Sequence, residues 1–226
     1  MTDARIVPAG DAAWVIEFDN RIDPEVNARA IAVARAVREA GWPAVRDAVT
    51  GYRSVAVYVD PLRVDGEKLS ADLADLVART TQTGAADAPI VRVPVCYGGE
   101  FGPDLAEVAA FAACSEAEVV ARHSGREYRV YMVGFVPGFP YMGTVEPSIA
   151  VPRRQTPRLR VPAGSVGIAG PQTGLYPRET PGGWNLVGRT PLRPFDETRA
   201  EPCLFRAGSR VQFVPISAAE FAAWQE

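Results

Sequence analysis

One histidine, one lysine and three scattered cysteines set the first limits on this 226-residue chain. His123 stands alone, so no site built from several imidazoles can form, and no metal site is predicted. Cys96, Cys114 and Cys203 are odd in number and make no CxxC pair, which excludes a disulfide framework and a zinc knuckle and makes a reducing cytoplasm the expected setting. No run approaches 18 consecutive apolar residues, and Met1-Thr-Asp-Ala-Arg lacks the apolar segment of an export signal, so no membrane association is expected. The net charge of −3 gives no general attraction to nucleic acid.

The charge that is present is unevenly spread. Residues 1–88 carry 10 basic and 14 acidic side chains, whereas residues 151–193 carry seven Arg against the single acid Glu179. A local cationic face on a mildly acidic protein suits a small anionic ligand better than a polyanion. Lys68 is the only lysine among 24 basic residues, a bias that reflects genomic composition rather than recognition.

Hydrophobic periodicity predicts an α+β chain of two domains, residues 1–86 and 87–226. Ala12–Phe18 reads as a strand. Asp23 and Pro24 then open a helix on which Val26, Ala30, Val33 and Val37 share a face, and Gly41 stops it. Strands are expected at 45–49 and 54–59, a helix at 66–80 with Leu69, Leu73, Leu76 and Val77 inward, and a strand at 90–95. Taken in that order the six elements make the split βαβ arrangement of a ferredoxin-like domain, with the boundary near 84–88. Beyond Tyr97 come a short helix with Leu105, Val108, Ala109 and Phe111 inward, then a second, opened by the capping box Ser115-x-x-Glu118. Short strands at 128–133, 165–169, 185–188 and 211–214 indicate a compact barrel or sandwich, onto which a terminal helix at 217–224 docks.

Residues 134–190 hold 10 Gly and 9 Pro yet keep apolar and aromatic residues throughout, which marks tightly turned β structure rather than a linker. Gly164, Gly167, Gly170 and Gly174 invite comparison with phosphate loops. However, no Gly-Lys-Ser/Thr follows, the spacing is GxxGxxG rather than GxGxxG, and Ser165 directly follows Gly164 instead of sitting in GxSxG. These glycines therefore read as turn residues. Arg153, Arg154, Arg158 and Arg160 carry the sharper signal, because guanidinium groups bind carboxylate or phosphate bidentately. Strand-like spacing puts Arg154, Arg158 and Arg160 on one face and Arg153 on the other. Tyr141, Tyr176 and Trp184 are candidates for a cleft wall or for core, and His123 for a general base or for a satisfied helix-end histidine. Phe135, Phe139, Tyr141 and Met142 lie in an uncharged stretch that, if exposed, would be an apolar patch covered by a second protein chain.

These same segments, YMVGFVPGFPYMG, VPRRQTPRLRVPAGSVGIAGPQTGLYP and TPGGWNLVGRTP, resemble the signature of the KipI and allophanate-hydrolase-subunit-1 family, and the likeness extends over essentially the whole chain. The resemblance implies an N-terminal ferredoxin-like domain followed by a C-terminal cyclophilin-like β-barrel. It further implies pairing with a cyclophilin-like C subunit of 5-oxoprolinase. The assembled complex would use ATP with Mg2+ to phosphorylate the amide oxygen of 5-oxoproline, and the A subunit would open the ring. Other members of the family act on allophanate or inhibit a sensor histidine kinase. By position in the matching motifs, the resemblance places His123, Arg154 and Arg158 as catalytic residues and Arg153, Gln172 and Tyr176 as substrate- or nucleotide-binding residues. Gly138, Gly164, Gly167 and Gly170 would shape the backbone around them.

Overall fold

A computed structural model describes residues 4–80 and 89–224. The chain divides into two compact units, residues 1–87 and 88–226; the connector predicted to hold the boundary, residues 84–88, lies outside the described residues.

The first unit runs β1 (Arg5–Pro8), β2 (Ala13–Glu17), α1 (Pro24–Glu39), β3 (Val45–Thr50), β4 (Ser54–Val59) and α2 (Gly66–Arg79). α1 starts where it does because the Asp23 carboxylate accepts the N–H groups of Glu25 and Val26, while Pro24 occupies the first turn, where no N–H is needed. Its spacing buries Val26, Ala30, Val33 and Val37 together with Ile16, Val55, Val57 and Leu73. The sheet order is β1-β2-β4-β3, antiparallel throughout. The reading of residues 90–95 as the last strand of this sheet is corrected: the edge beside β2 is filled by β1, which precedes the first helix in the chain. Strand 90–95 lies in the other unit, where its alternate residues Val93 and Val95 are fully buried.

The second unit contains β5 (Ile90–Tyr97), α3 (Leu105–Phe111), α4 (Glu116–Ser124), β6 (Glu127–Val133), β7 (Pro140–Gly143), β8 (Arg158–Val161), β9 (Ser165–Ala169), β10 (Gln172–Leu175), β11 (Thr180–Gly182), β12 (Asn185–Arg189), β13 (Arg210–Ile216) and α5 (Ala218–Ala222). Seven strands close in the order β10-β7-β6-β13-β5-β12-β9, with β9 returning to β10. Closure removes the open sheet edges, and the interior is filled by Val93, Val130, Met142, Ile168, Leu175 and Phe213. The β5–β13 pair is parallel and the other ladders antiparallel. β8 and β11 form a separate two-stranded ribbon.

The capping box at α4 is present, with Ser115 and Glu118 exchanging side-chain and backbone bonds. In α3, Leu105, Val108 and Ala109 point inward, but Phe111, expected beside them, is exposed at 52% because the helix ends on it. The terminal helix docks through Phe221, whose ring lies 4.7 Å from that of Phe101, and leaves Trp224 exposed.

Candidate functional site

The apolar stretch 134–143 does not make the exposed patch expected of it. Phe139 and Met142 are buried, Tyr141 is half-buried, and only Phe135, at 59%, presents a large apolar surface. Phe139 is instead the hub of an aromatic cluster, with ring centroids 4.8 Å from Tyr141, 5.1 Å from Tyr176 and 5.4 Å from Trp184. The last two are near-perpendicular contacts, the arrangement favoured by ring quadrupoles. Phe135 stands edge-on to Phe139 at 5.7 Å.

These rings wall a cleft of about 410 Å³, within the range of small-molecule sites. Arg153 and Gln172 supply polar side chains to it, and Gly170 and Gly182 supply backbone. Among the lining residues Arg153 is the one charged group.

Both peptide groups flanking Arg153 are tied down. The Asn185 side-chain amide donates to the Pro152 carbonyl at 2.9 Å and to the Ile168 carbonyl at 3.2 Å, and the Arg154 N–H donates to the Gly183 carbonyl at 2.8 Å. The paired glycines of TPGGWN clear the space above them. A Cβ on Gly182 would stand 2.5 Å from the Tyr176 hydroxyl oxygen, and one on Gly183 would stand 2.8 Å from Arg153 Nε. The Tyr176 ring and the Arg153 side chain thus lie across bare backbone. Burial raises the Tyr176 pKa to about 12, against a backbone hydrogen bond from Trp184 and the nearby Arg153 charge, and burial also raises Tyr141. Both phenols therefore keep their protons at neutral pH and can donate hydrogen bonds into the cleft.

Arg154 and Arg158 have another occupation, which corrects the expectation of a free cationic set. Asp104, 1% exposed, accepts two hydrogen bonds from Arg158, at 2.6 and 2.9 Å, and a third from Arg154 at 3.0 Å. It also accepts the buried Leu186 N–H at 2.7 Å, while Glu107 takes a further bond from Arg154 at 2.8 Å. Neither arginine lines the cleft. Arg160, grouped with them by strand spacing, is exposed and pairs loosely with Glu179 at 3.6 Å.

His123 is fully buried on α4, stacked on Phe213 with centroids 4.6 Å apart, and does not line the cleft. Thr173 gives its hydroxyl proton to the Gly167 carbonyl, so it must accept from His123 Nε2, 2.9 Å away. His123 Nδ1 then accepts from the Tyr97 hydroxyl at 2.8 Å. This assigns the neutral Nε2–H tautomer. Burial depresses the imidazole to about pKa 3, which corrects the expectation of a general base working near neutrality.

The remaining backbone candidates are distributed around the barrel. Gly170 takes φ +58° in the two-residue turn between β9 and β10, at the cleft. Gly164 is required twice over, by φ +79° and by a Thr190 carbonyl 2.3 Å from where a Cβ would stand. Gly167 lets β12 approach, with Trp184 Cβ 3.1 Å from its own absent Cβ, and Gly138 packs against Phe195. Among the residues that sequence reasoning did not place in the site are Phe135, Phe139, Asn185, Gly182, Gly183 and Asp104. Of these only the Gly-Gly dipeptide carried a local signal, that of a close approach.

A closed barrel bearing an aromatic-walled cleft, in one chain with a compact α/β unit, defines the class of protein. Residues 4–205 match the family described as Carboxyltransferase domain, subdomain C and D, and the chain belongs to that family. It is 41% identical over 232 residues to the B subunit of 5-oxoprolinase from Bacillus subtilis, covering 98% of this chain and 97% of the relative. It is 43% identical over 218 residues to the B subunit of 5-oxoprolinase from Escherichia coli O157:H7, covering 95% and 97%. Among solved structures, TTHA0988 superposes with a TM-score of 0.82 at 39% identity, covering 91% of this chain and 40% of that longer one. Urea amidolyase of Kluyveromyces lactis shares the fold alone, with a TM-score of 0.81 at 18% identity over 97% of this chain and 15% of that one.

Proposed function

We propose that this chain is the B subunit of an ATP-dependent 5-oxoprolinase. Acting with a C subunit it would phosphorylate 5-oxoproline, and an A subunit would then open the ring to L-glutamate. The observation that carries the reading is full-length similarity above 40% to two relatives bearing that name. The cleft suits it, since a lactam needs an apolar enclosure for its ring and hydrogen-bond donors for its oxygens, and aromatic walls with protonated phenols offer both. In this reading Arg153, Gln172 and Tyr176 contact the ligand. Arg154 and Arg158 act as positioning residues, because their guanidinium groups are held by Asp104 and Glu107 away from the cleft, and His123 holds β10 through Thr173.

The first unit is read as ferredoxin-like with its outer strand supplied by β1, and the second as a cyclophilin-like barrel. The expected setting is the cytoplasm. Among the described residues no helix is long and apolar enough to cross a membrane.

A nucleotide with Mg2+ fits this chain's own residues poorly. The cleft lining offers its phosphates one guanidinium and offers a Mg2+ held on them no carboxylate. Both facts are accommodated if the nucleotide site is borne mainly by the C subunit. The kinase-inhibitor reading loses its expected docking patch, since Phe139 and Met142 are buried.

The deciding experiment is reconstitution of the chain with its A and C counterparts. ATP hydrolysis that appears only when 5-oxoproline is present, with glutamate formed, is the expected result. A complex that assembles yet hydrolyses no ATP in the presence of 5-oxoproline would count against the function.

A further inference from the structure

The charge of the cleft is more selective than its shape. Five aromatic side chains accept many flat ligands, a purine as readily as a lactam. A guanidinium beside them favours an anion that can pair with it. The lining contains no carboxylate, and among the described residues no ion pair engages Arg153. Asp104 and Glu107 are taken by Arg154 and Arg158.

The backbone that carries this charge is fixed. Asn185 and the Gly183 carbonyl fix the backbone on either side of Arg153, and the missing Cβ of Gly183 leaves its side chain a floor to lie on. A guanidinium fork carried on that backbone matches the two oxygens of one carboxylate. It does not match a triphosphate, whose several negative charges call for several cations or a metal.

Resting on the function proposed above, we propose that the cleft is the subsite for the carboxylated lactam, with Arg153 binding the carboxylate while the aromatic walls hold the ring. The phosphates of the nucleotide are then held outside this cleft. Gly183 and Asn185 act as positioning residues for Arg153. The cleft discriminates between 5-oxoproline and the same ring without its carboxylate, 2-pyrrolidone.

Steady-state kinetics of the reconstituted complex test this through Arg153→Gln, an exposed position where folding should survive and where a thermal melt confirms that it does. KM for 5-oxoproline is expected to rise by roughly 10- to 100-fold, the loss of a charge-assisted pair, while KM for ATP moves less than about twofold. 2-Pyrrolidone, used as a competitor, should inhibit wild type and variant equally. A KM increase confined to ATP, or equal loss of 2-pyrrolidone and 5-oxoproline affinity, would overturn the assignment. Saturation-transfer NMR of 5-oxoproline on the assembled complex separates this idea from the function itself. Arg153-dependent binding without turnover retains the subsite and rejects the oxoprolinase reading. No saturation transfer to 5-oxoproline from the wild-type complex rejects the subsite.

Discussion

Arg158 grips Asp104 with both of its terminal nitrogens, at 2.9 and 2.6 Å, across 54 positions of sequence. Because Asp104 also receives Arg154 and the Leu186 N–H, one buried carboxylate joins the start of α3, the segment leading into β8, and β12. Replacing Asp104 by Ala strands two partly buried arginines and a buried amide, and should cost about 3 kcal/mol. Asp104→Asn keeps an acceptor for Leu186 and should cost about 2 kcal/mol. Urea denaturation measures both, and a loss below about 1 kcal/mol in the alanine variant would show that the knot is not structural.

Adjacent glycines should respond in opposite ways. At Gly183 an added methyl meets the flexible end of Arg153, which can swing aside, so Gly183→Ala should keep its stability within about 0.5 kcal/mol while raising KM for 5-oxoproline several-fold. At Gly182 the methyl meets the rigid Tyr176 ring at 2.5 to 2.9 Å, and Gly182→Ala should lose about 1 to 3 kcal/mol. Thermal melts alongside the kinetics read both, and equal destabilisation at the two positions would contradict this account of the pair.

His123 gives the fold a pH dependence. The folded chain holds the imidazole neutral down to about pH 3, whereas the unfolded chain protonates it near 6.5. Between those values the unfolded state binds the extra proton, so stability rises with pH at about 1.4 kcal/mol per unit and falls on acidification below 6.5. From about pH 6.5 to about 5.0 wild type should lose about 2 kcal/mol more than His123→Gln, in which nothing titrates at this position. Parallel stability curves for the two proteins would exclude the buried neutral imidazole.

Phe135 is held at φ +65°, a conformation that costs a non-glycine residue about 1 kcal/mol, at the mouth of the cleft. Phe135→Gly should leave stability unchanged or raise it by up to about 1 kcal/mol, and should lower activity of the reconstituted complex by removing part of the cleft rim. A destabilisation beyond about 2 kcal/mol would mean that its edge contact with Phe139 outweighs the strain.

Local chemistry makes some of this legible in the sequence. The Asp23 cap, the Ser115 capping box and strand 165–169 are decided within a few residues, and all three are present where their sequences put them. β1 is not legible because four residues ending in Pro8 carry too little pattern, and strand 90–95 is misassigned to the first sheet because order along a chain does not say which edge a strand will find. The run from Arg153 to Arg160 looks like one cationic set. Asp104 divides it, and nothing in Gly102-Pro103-Asp104 distinguishes a buried clamp from an ordinary helix start.

The sequence alone determined that residues 134–190 would be turned β structure, since Gly and Pro limit backbone angles whatever surrounds them, and that charge there would be cationic. Tertiary structure decided which of those cations is available. Ion pairing acts over a few ångströms, and only the folded chain brings Asp104 to Arg154 and Arg158 while leaving Arg153 over Gly183, facing the aromatic cleft.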